Sequence, residues 1–141
     1  MSEALAPLSG VTYRTRLATT AEDIQAAQRL RFEVFNVELQ EGLSESWRTQ
    51  RDSDRFDATC DHLIIEHIAT GKVVGTYRLQ TGAKAAAANG YYSEQEFDFT
   101  PFEPFRAEMV ELGRACVHQD HRRGNVLDLL WRGIAAYTRE R

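Results

Sequence analysis

Glu111-Leu112-Gly113-Arg114-Ala115-Cys116-Val117-His118, continued by Gln119-Asp120-His121-Arg122-Arg123-Gly124, decides how this chain is read. Met109, Val110, Leu112, Ala115, Cys116 and Val117 give it the apolar run of a buried strand. Glu111 and Arg114 interrupt that run. A charge inside a central strand is costly unless it is paired or faces a cavity. The basic turn closes at Gly124, and Val126, Leu127, Leu129, Leu130, Ile134 and Ala135 then follow in a helical pattern. A strand, an Arg- and Gly-containing turn and a helix N-terminus in succession form a corner suited to an anion. Unpaired amides and the helix dipole both point out of it. On this stretch alone two readings stay open: charges serving a site, or a charge pair that fixes strand register.

Outward from this corner, 141 residues are enough for one domain with a real core. Residues 1–10 read as a flexible arm and 11–141 as the domain. A hydrophobic share of 43% and a charged share of 27% fit a soluble globular chain. No window approaches the roughly 18 apolar residues of a membrane span, and the start lacks the basic flank and apolar core of a signal peptide. Cys60 and Cys116 are too few for a disulfide framework, which points to a reducing cytoplasm. From Glu22 to Asp61 acids outnumber bases by ten to five, and from Arg114 to Arg141 bases outnumber acids by six to three. The second region suits an anionic partner.

Val11 to Leu17 alternates as a strand. Thr20, with Asp23 three residues on, caps a helix whose apolar stripe is Ile24, Ala27, Leu30, Val34 and Val37. Arg31 and Phe35 are four apart and share a helix face. Gln40 to Thr59 reads as a long polar loop in which Asp54 and Asp57 bracket Phe56. The plain reading is a solvated acidic loop. His62–Ile68 and Val73–Leu79 form a hairpin about Ala69-Thr70-Gly71-Lys72. Gly75 admits another backbone or a ligand, and Arg78 is a second cation inside an apolar strand. Gly82 to Gly90 reads equally as a short helix or a flexible connection. Ser93-Glu94-Gln95-Glu96 is a capped turn, and Pro101 and Pro104 mark a loop. The last helix has no strand after it, so the sheet is expected to end on an exposed parallel edge and the domain to be truncated at its C-terminal side.

No zinc-type ligand spacing, serine nucleophile elbow, Gly-rich nucleotide fingerprint or basic–aromatic stripe for nucleic acid is present. Cys116 reads as a small buried hydrophobe, and His118 and His121 as exposed loop residues.

Taken together, Arg31-Phe32-Glu33-Val34-Phe35, Cys60-Asp61-His62-Leu63, Gly75-Thr76-Tyr77-Arg78-Leu79, Tyr92-Ser93-Glu94-Gln95-Glu96-Phe97, Glu111-Leu112-Gly113-Arg114, Cys116-Val117-His118 and Leu129-Leu130-Trp131-Arg132-Gly133 resemble the bacterial ornithine N-acyltransferases of ornithine-lipid synthesis. These proteins, often labelled hemolysin-like, have an acetyltransferase-type (GNAT) fold. A sparser set, Arg31, Phe35, Asp54, Asp57, Arg78, Glu111 and Arg114, resembles the acyl-homoserine lactone synthases. The resemblance spans about residues 12–137. It implies an α/β (α+β) fold with a mixed, mostly antiparallel sheet flanked by helices.

It also implies an N-acyltransferase that moves a fatty acyl group, 3-hydroxylated by resemblance, from acyl carrier protein to the α-amine of ornithine or a similar amino acid. Glu111 and Arg114 would be catalytic, with Glu111 the base. Arg31, Phe35, Asp54, Asp57 and Arg78 would serve the acceptor and its loop. Val117, His118, Arg122, Arg123, Gly124 and Asn125 would hold the donor phosphopantetheine. No metal, bound cofactor or nucleic acid is implied, and a peripheral contact at the inner membrane surface is. Enzymes of this fold that use coenzyme A resemble Gln/Arg-x-x-Gly-x-Gly/Ala at the turn. Here the residues are His121-Arg122-Arg123-Gly124-Asn125-Val126, and Val126 in place of a small residue disfavours acyl-coenzyme A as donor. The alternatives are an acyl-homoserine lactone synthase using S-adenosylmethionine and a non-catalytic module that binds acyl carrier protein.

Overall fold

The computed structural model describes residues 12–141. The arm at 1–10 and Val11, the expected first residue of the opening strand, lie outside them. Four strands, β1 (Tyr13–Leu17), β2 (Asp61–His67), β3 (Lys72–Thr81) and β4 (Val110–Val117), make one sheet in that order, with every pairing antiparallel. The β2–β3 hairpin stands as the sequence predicts. Its turn is closed by Gly71 at φ 72°, a conformation that glycine adopts without strain.

Two expectations are corrected. Among the described residues β4 is the outer strand, not a central one, and no parallel pair is present. The reason lies in the connection from β3 to β4. The Gly82 N–H donates to the Met109 carbonyl at 3.0 Å, so the connection leaves and returns at one end of the sheet and β4 must run back antiparallel.

Helix α1 (Ala21–Arg31) starts at Thr20, whose hydroxyl accepts from the Asp23 amide while the Asp23 carboxylate accepts from the Thr20 amide. The chain then widens into a π-helical turn, Phe32–Glu38. Val37, expected on the inner stripe, is 51% exposed, because the wider turn carries it off the α-helical face. Leu30 and Val34 pack with Cys116 on one side of the sheet. Helix α4 (Val126–Glu140) covers the other, placing Val126, Leu130, Ile134 and Tyr137 against Leu63, Ile65, Val74 and Leu79. A Cβ on Gly75 would stand 2.7 Å from Cγ1 of Val126. The close approach that Gly75 permits is therefore the first residue of α4, not a ligand.

The remaining segments resolve what the sequence left open or misjudged. Within residues 40–59, expected as a loop throughout, Ser46–Thr49 forms one turn of helix, α2; Gly82–Ala87 is a helix, α3, and Tyr92–Gln95 a turn of 3-10 helix. The Pro101–Pro104 stretch, expected as a loop, is part of a longer 3-10 helix, Thr100–Glu108. Pro101 sits in its first turn, where no amide donor is needed.

Candidate active site

The register of β3 and β4 builds the site. Thr76 stands opposite Cys116 and Arg78 opposite Gly113, so Arg114 and Ala115 together oppose Tyr77. This is a bulge, with Arg114 at φ 47°. It re-aims Arg114 toward the residues gathered between α1 and the sheet.

Those residues form one continuous chain of alternating charge. Arg114 pairs with Asp52, Asp52 with Arg31, Arg31 with Asp57, Asp57 with Arg78, and Arg78 with Asp54. Arg31 donates from Nε to Asp52 Oδ2 at 2.8 Å and from Nη2 to Asp57 Oδ2 at 2.8 Å. Arg78 Nη1 lies 2.6 Å from Asp54 Oδ1 and 2.8 Å from Asp57 Oδ1. Gln28 donates to Asp57, and His62 Nε2 to the Asp57 carbonyl. Phe35 lies beneath Arg114, its ring centre 4.4 Å from the guanidinium carbon. It shares the site with Arg31 but stacks on the other arginine.

The solvated acidic loop is thereby overturned. Asp52 and Asp57 are 1% and 4% exposed, and Phe56 between the acids is buried. Burial raises the Asp57 carboxyl, but Arg31 and Arg78 outweigh it and hold the group down at about 2.

Beside this network a cavity of about 190 Å³ is lined by Arg78, Gln80, Tyr92, Ser93, Glu111 and Arg114, among others. Glu111 is held on all sides. Its Oε1 accepts from the Tyr92 amide at 2.8 Å and Gln80 Nε2 at 3.3 Å. Its Oε2 accepts from the Ser93 amide at 2.7 Å and the Ser93 hydroxyl at 2.5 Å. Cys60 also lines the cavity, but burial pushes its thiol up to about 11 and that of Cys116 up to about 12. Neither is a thiolate at neutral pH. Among the described residues no group of three or more His, Cys, Asp and Glu side chains is placed to hold a metal ion.

The turn before α4 differs from its sequence reading in three ways. Val126 is fully buried against Gly75, so its side chain points into the core and does not obstruct the outer face of the turn. The sequence argument against coenzyme A at this residue therefore loses its footing. Arg122 is clamped by Glu38, both contacts 2.6 Å, and donates from Nε to the Val117 carbonyl. Arg123 is exposed, Gly124 and Asn125 are exposed beside it, and Asn125 gives no side-chain cap to α4. His118 and His121, read as exposed, are half-buried. His118 Nδ1 accepts from the Asp120 amide, and His121 Nδ1 meets the Tyr13 hydroxyl at 2.8 Å.

Two arginines of the basic C-terminal region are also countered by acids from outside it. Arg114, Arg122, Arg132 and Arg141 pair with Asp52, Glu38, Asp128 and Glu140.

With this geometry in place, comparison with known proteins is informative. The acetyltransferase (GNAT) domain family matches residues 30–132. The chain belongs to that family. An L-ornithine N(alpha)-acyltransferase of Agrobacterium fabrum is 42% identical, over 90% of this chain and 46% of the relative. A protein of the same name from Rhodobacter capsulatus is 39% identical, over 96% of this chain and 53% of its own length. One from Brucella abortus is 41% identical, over 88% and 47%. The chain thus spans about half the length of the curated relatives it matches. Among solved structures, the acyl-homoserine lactone synthase LasI superposes with a TM-score of 0.60 at 16% identity, covering 93% of this chain and 68% of LasI. The coenzyme-A-dependent acyl-homoserine lactone synthase BjaI, solved with SAM and isopentyl-CoA, gives 0.60 at 22%, covering 85% and 56%. At these identities the likeness is one of fold.

Two site residues escaped the sequence reading. Three arginines in apolar settings call for three acids, and the sequence reading singles out only Asp54 and Asp57; charge balance asks for a third, but which loop acid it is, Asp52, is set by the folded contacts. Ser93 enters the sequence reading as a turn residue and as part of the Tyr92–Phe97 resemblance, without a role, and no local signal places its hydroxyl on Glu111, which is 18 residues away in sequence.

Proposed function

We propose that the protein transfers a fatty acyl group from acyl carrier protein to the α-amine of ornithine, giving a lyso-ornithine lipid. The observation that carries this reading is identity of 39–42% over nearly the whole chain to proteins named L-ornithine N(alpha)-acyltransferase. The cavity beside Arg114 supports it. Amine attack on a thioester needs a proton acceptor, a counter-charge for the amino-acid carboxylate, and donors for the oxyanion. Glu111 supplies the first. Arg114, at the bulge and lining the cavity, supplies the second through Nη1, which has no partner among the described residues once Nε and Nη2 are taken by Asp52. Backbone N–H groups at the β4 bulge would supply the third. Arg31, Arg78 and the three aspartates fix the loop over the cavity and leave these groups in register.

An acyl-carrier donor is supported by charge rather than by Val126. With Arg122 committed to Glu38, Arg123 is the cation at the turn that has no carboxylate partner among the described residues. One cation suits the single phosphate of a phosphopantetheine arm better than the pyrophosphate and extra phosphate of coenzyme A. An amphiphilic product of this kind would be handed over by peripheral contact at the cytoplasmic face of the inner membrane; among the described residues no helix is long and apolar enough to cross a membrane. The lactone-synthase likeness is one of fold alone and favours no second reading.

Expression of the intact protein in a bacterium without ornithine lipids, followed by mass spectrometry of the extracted lipids, tests the reading. A lyso-ornithine lipid supports it. A soluble acyl-homoserine lactone, or no new product, overturns it.

A further inference from the structure

Glu111 presents no unused lone pair to the cavity. Each oxygen already receives two donors: the Tyr92 amide and Gln80 Nε2 on Oε1, the Ser93 amide and Ser93 Oγ on Oε2. An incoming ammonium can therefore reach the carboxylate only by breaking one of these bonds or by passing its proton through one of the donors. Three of the four donors are amide N–H groups, which do not relay protons readily. The fourth is a hydroxyl. Ser93 Oγ gives its proton to Glu111 at 2.5 Å and receives no hydrogen bond from any described residue, so its own lone pairs are unspent. Ser93 lines the same cavity as Glu111, Arg78 and Arg114. Its position is set from both sides, by its own amide on Glu111 Oε2 and by the Tyr92 amide on Oε1.

We infer that Ser93 is a catalytic residue, the hydroxyl that meets the acceptor amine and passes its proton to Glu111. This rests on the acyltransferase reading above. The incoming α-ammonium gives a proton to Ser93 Oγ as the Ser93 hydroxyl proton moves to Glu111 Oε2. The freed nitrogen lone pair attacks the thioester carbonyl carbon, the N–C bond forms and the C–S bond breaks. The leaving thiolate takes the second amine proton. Glu111 returns the first to solvent, and the products are amide, thiol and one proton.

The test compares wild type, Ser93→Ala and Ser93→Thr in the intact protein, by acyl transfer from acyl carrier protein to ornithine and to a panel of other primary amines. Thermal melts check the fold, and rates in mixed light and heavy water count the protons in flight. Ser93→Ala should melt near wild type, lose about 10²-fold in kcat, in line with loss of a proton-transfer group, and change KM for the amine little. Ser93→Thr should recover most of the rate, with the bowed heavy-water dependence of a two-proton relay. The inference is overturned if folded Ser93→Ala keeps kcat within about threefold, if Ser93→Thr is as slow as Ser93→Ala, or if the wild-type dependence is linear. Transfer to amines other than ornithine would remove the proposed acceptor while still testing the relay on the amine that reacts. Transfer to no amine overturns both.

Discussion

Arg31 and Asp57 lie 26 positions apart in sequence and meet at 2.8 Å, with 1% and 5% of their side chains exposed. This pair is the middle link of a charge chain running from Arg114 on the β4 bulge to Asp54 in the 40–59 loop. It ties α1, the 40–59 loop and the sheet into one unit without a large apolar core beneath the loop. Buried ion pairs add little net stability over apolar packing, but removing one member leaves its buried neighbours each short of a counter-ion, with no solvent to replace it.

Asp57→Ala and Arg31→Ala should therefore each destabilise the protein strongly, by about 3–5 kcal/mol in denaturant unfolding. The double variant should fall well short of the sum, with a coupling above about 1 kcal/mol. A coupling within about 0.5 kcal/mol of zero would mean that the two groups act independently.

Acid should unfold the protein in two steps. His62 is buried and held below its ordinary value by desolvation, so below about pH 6.5 the unfolded chain takes up a proton that the native state resists. Stability falls with pH from there. Asp57 is depressed to about 2, so its contribution is complete above about pH 4 and fades between about 4 and 2 as the unfolded chain protonates first. His62→Gln should weaken the upper step, to which His121, also held below its ordinary value, contributes the remainder, and leave the lower. A stability curve flat from pH 7 to pH 4 in the wild type would contradict the burial of His62.

Gly75→Ala should cost about 1–3 kcal/mol, because the new methyl carbon meets Val126 at 2.7 Å in a packed interface. Val126→Ala in the same chain should restore part of the loss. Failure of that rescue in thermal melts would mean that Gly75 serves something other than the approach of α4.

The arginine pair at the turn gives a test of the donor. Arg122 is held by Glu38, so reversing its charge would also break a local clamp, and Arg123→Glu is the cleaner variant. It should raise KM for acyl carrier protein several-fold, change KM for ornithine little, and weaken the salt dependence of the donor reaction. Equal behaviour of variant and wild type across salt concentrations would remove Arg123 from donor docking.

How much of this was legible in the sequence follows the range of the interactions involved. The Thr20 cap, the hairpin about Gly71 and the apolar face of α4 depend on neighbours in sequence and are read from spacing. Glu111, Arg78 and Arg31 stood out because a charge in an apolar run demands a partner. Which partners they find depends on contacts across 18 to 62 residues, as with Ser93 and Glu111 or Asp52 and Arg114, and no period in the sequence encodes those. The orientation of Val126 was misjudged for the same reason. Its fit against Gly75 depends on β3 and α4 meeting across the core.

Purified intact protein, incubated with 3-hydroxyacyl carrier protein and ornithine and read by fragmentation mass spectrometry, bears on the whole account. Wild type should form an amide at the α-nitrogen, and folded Glu111→Gln should form it about 10²–10⁴-fold more slowly, the range expected for loss of a proton acceptor. Acylation at the side-chain nitrogen, a lactone product, or a folded Glu111→Gln as fast as wild type would contradict it.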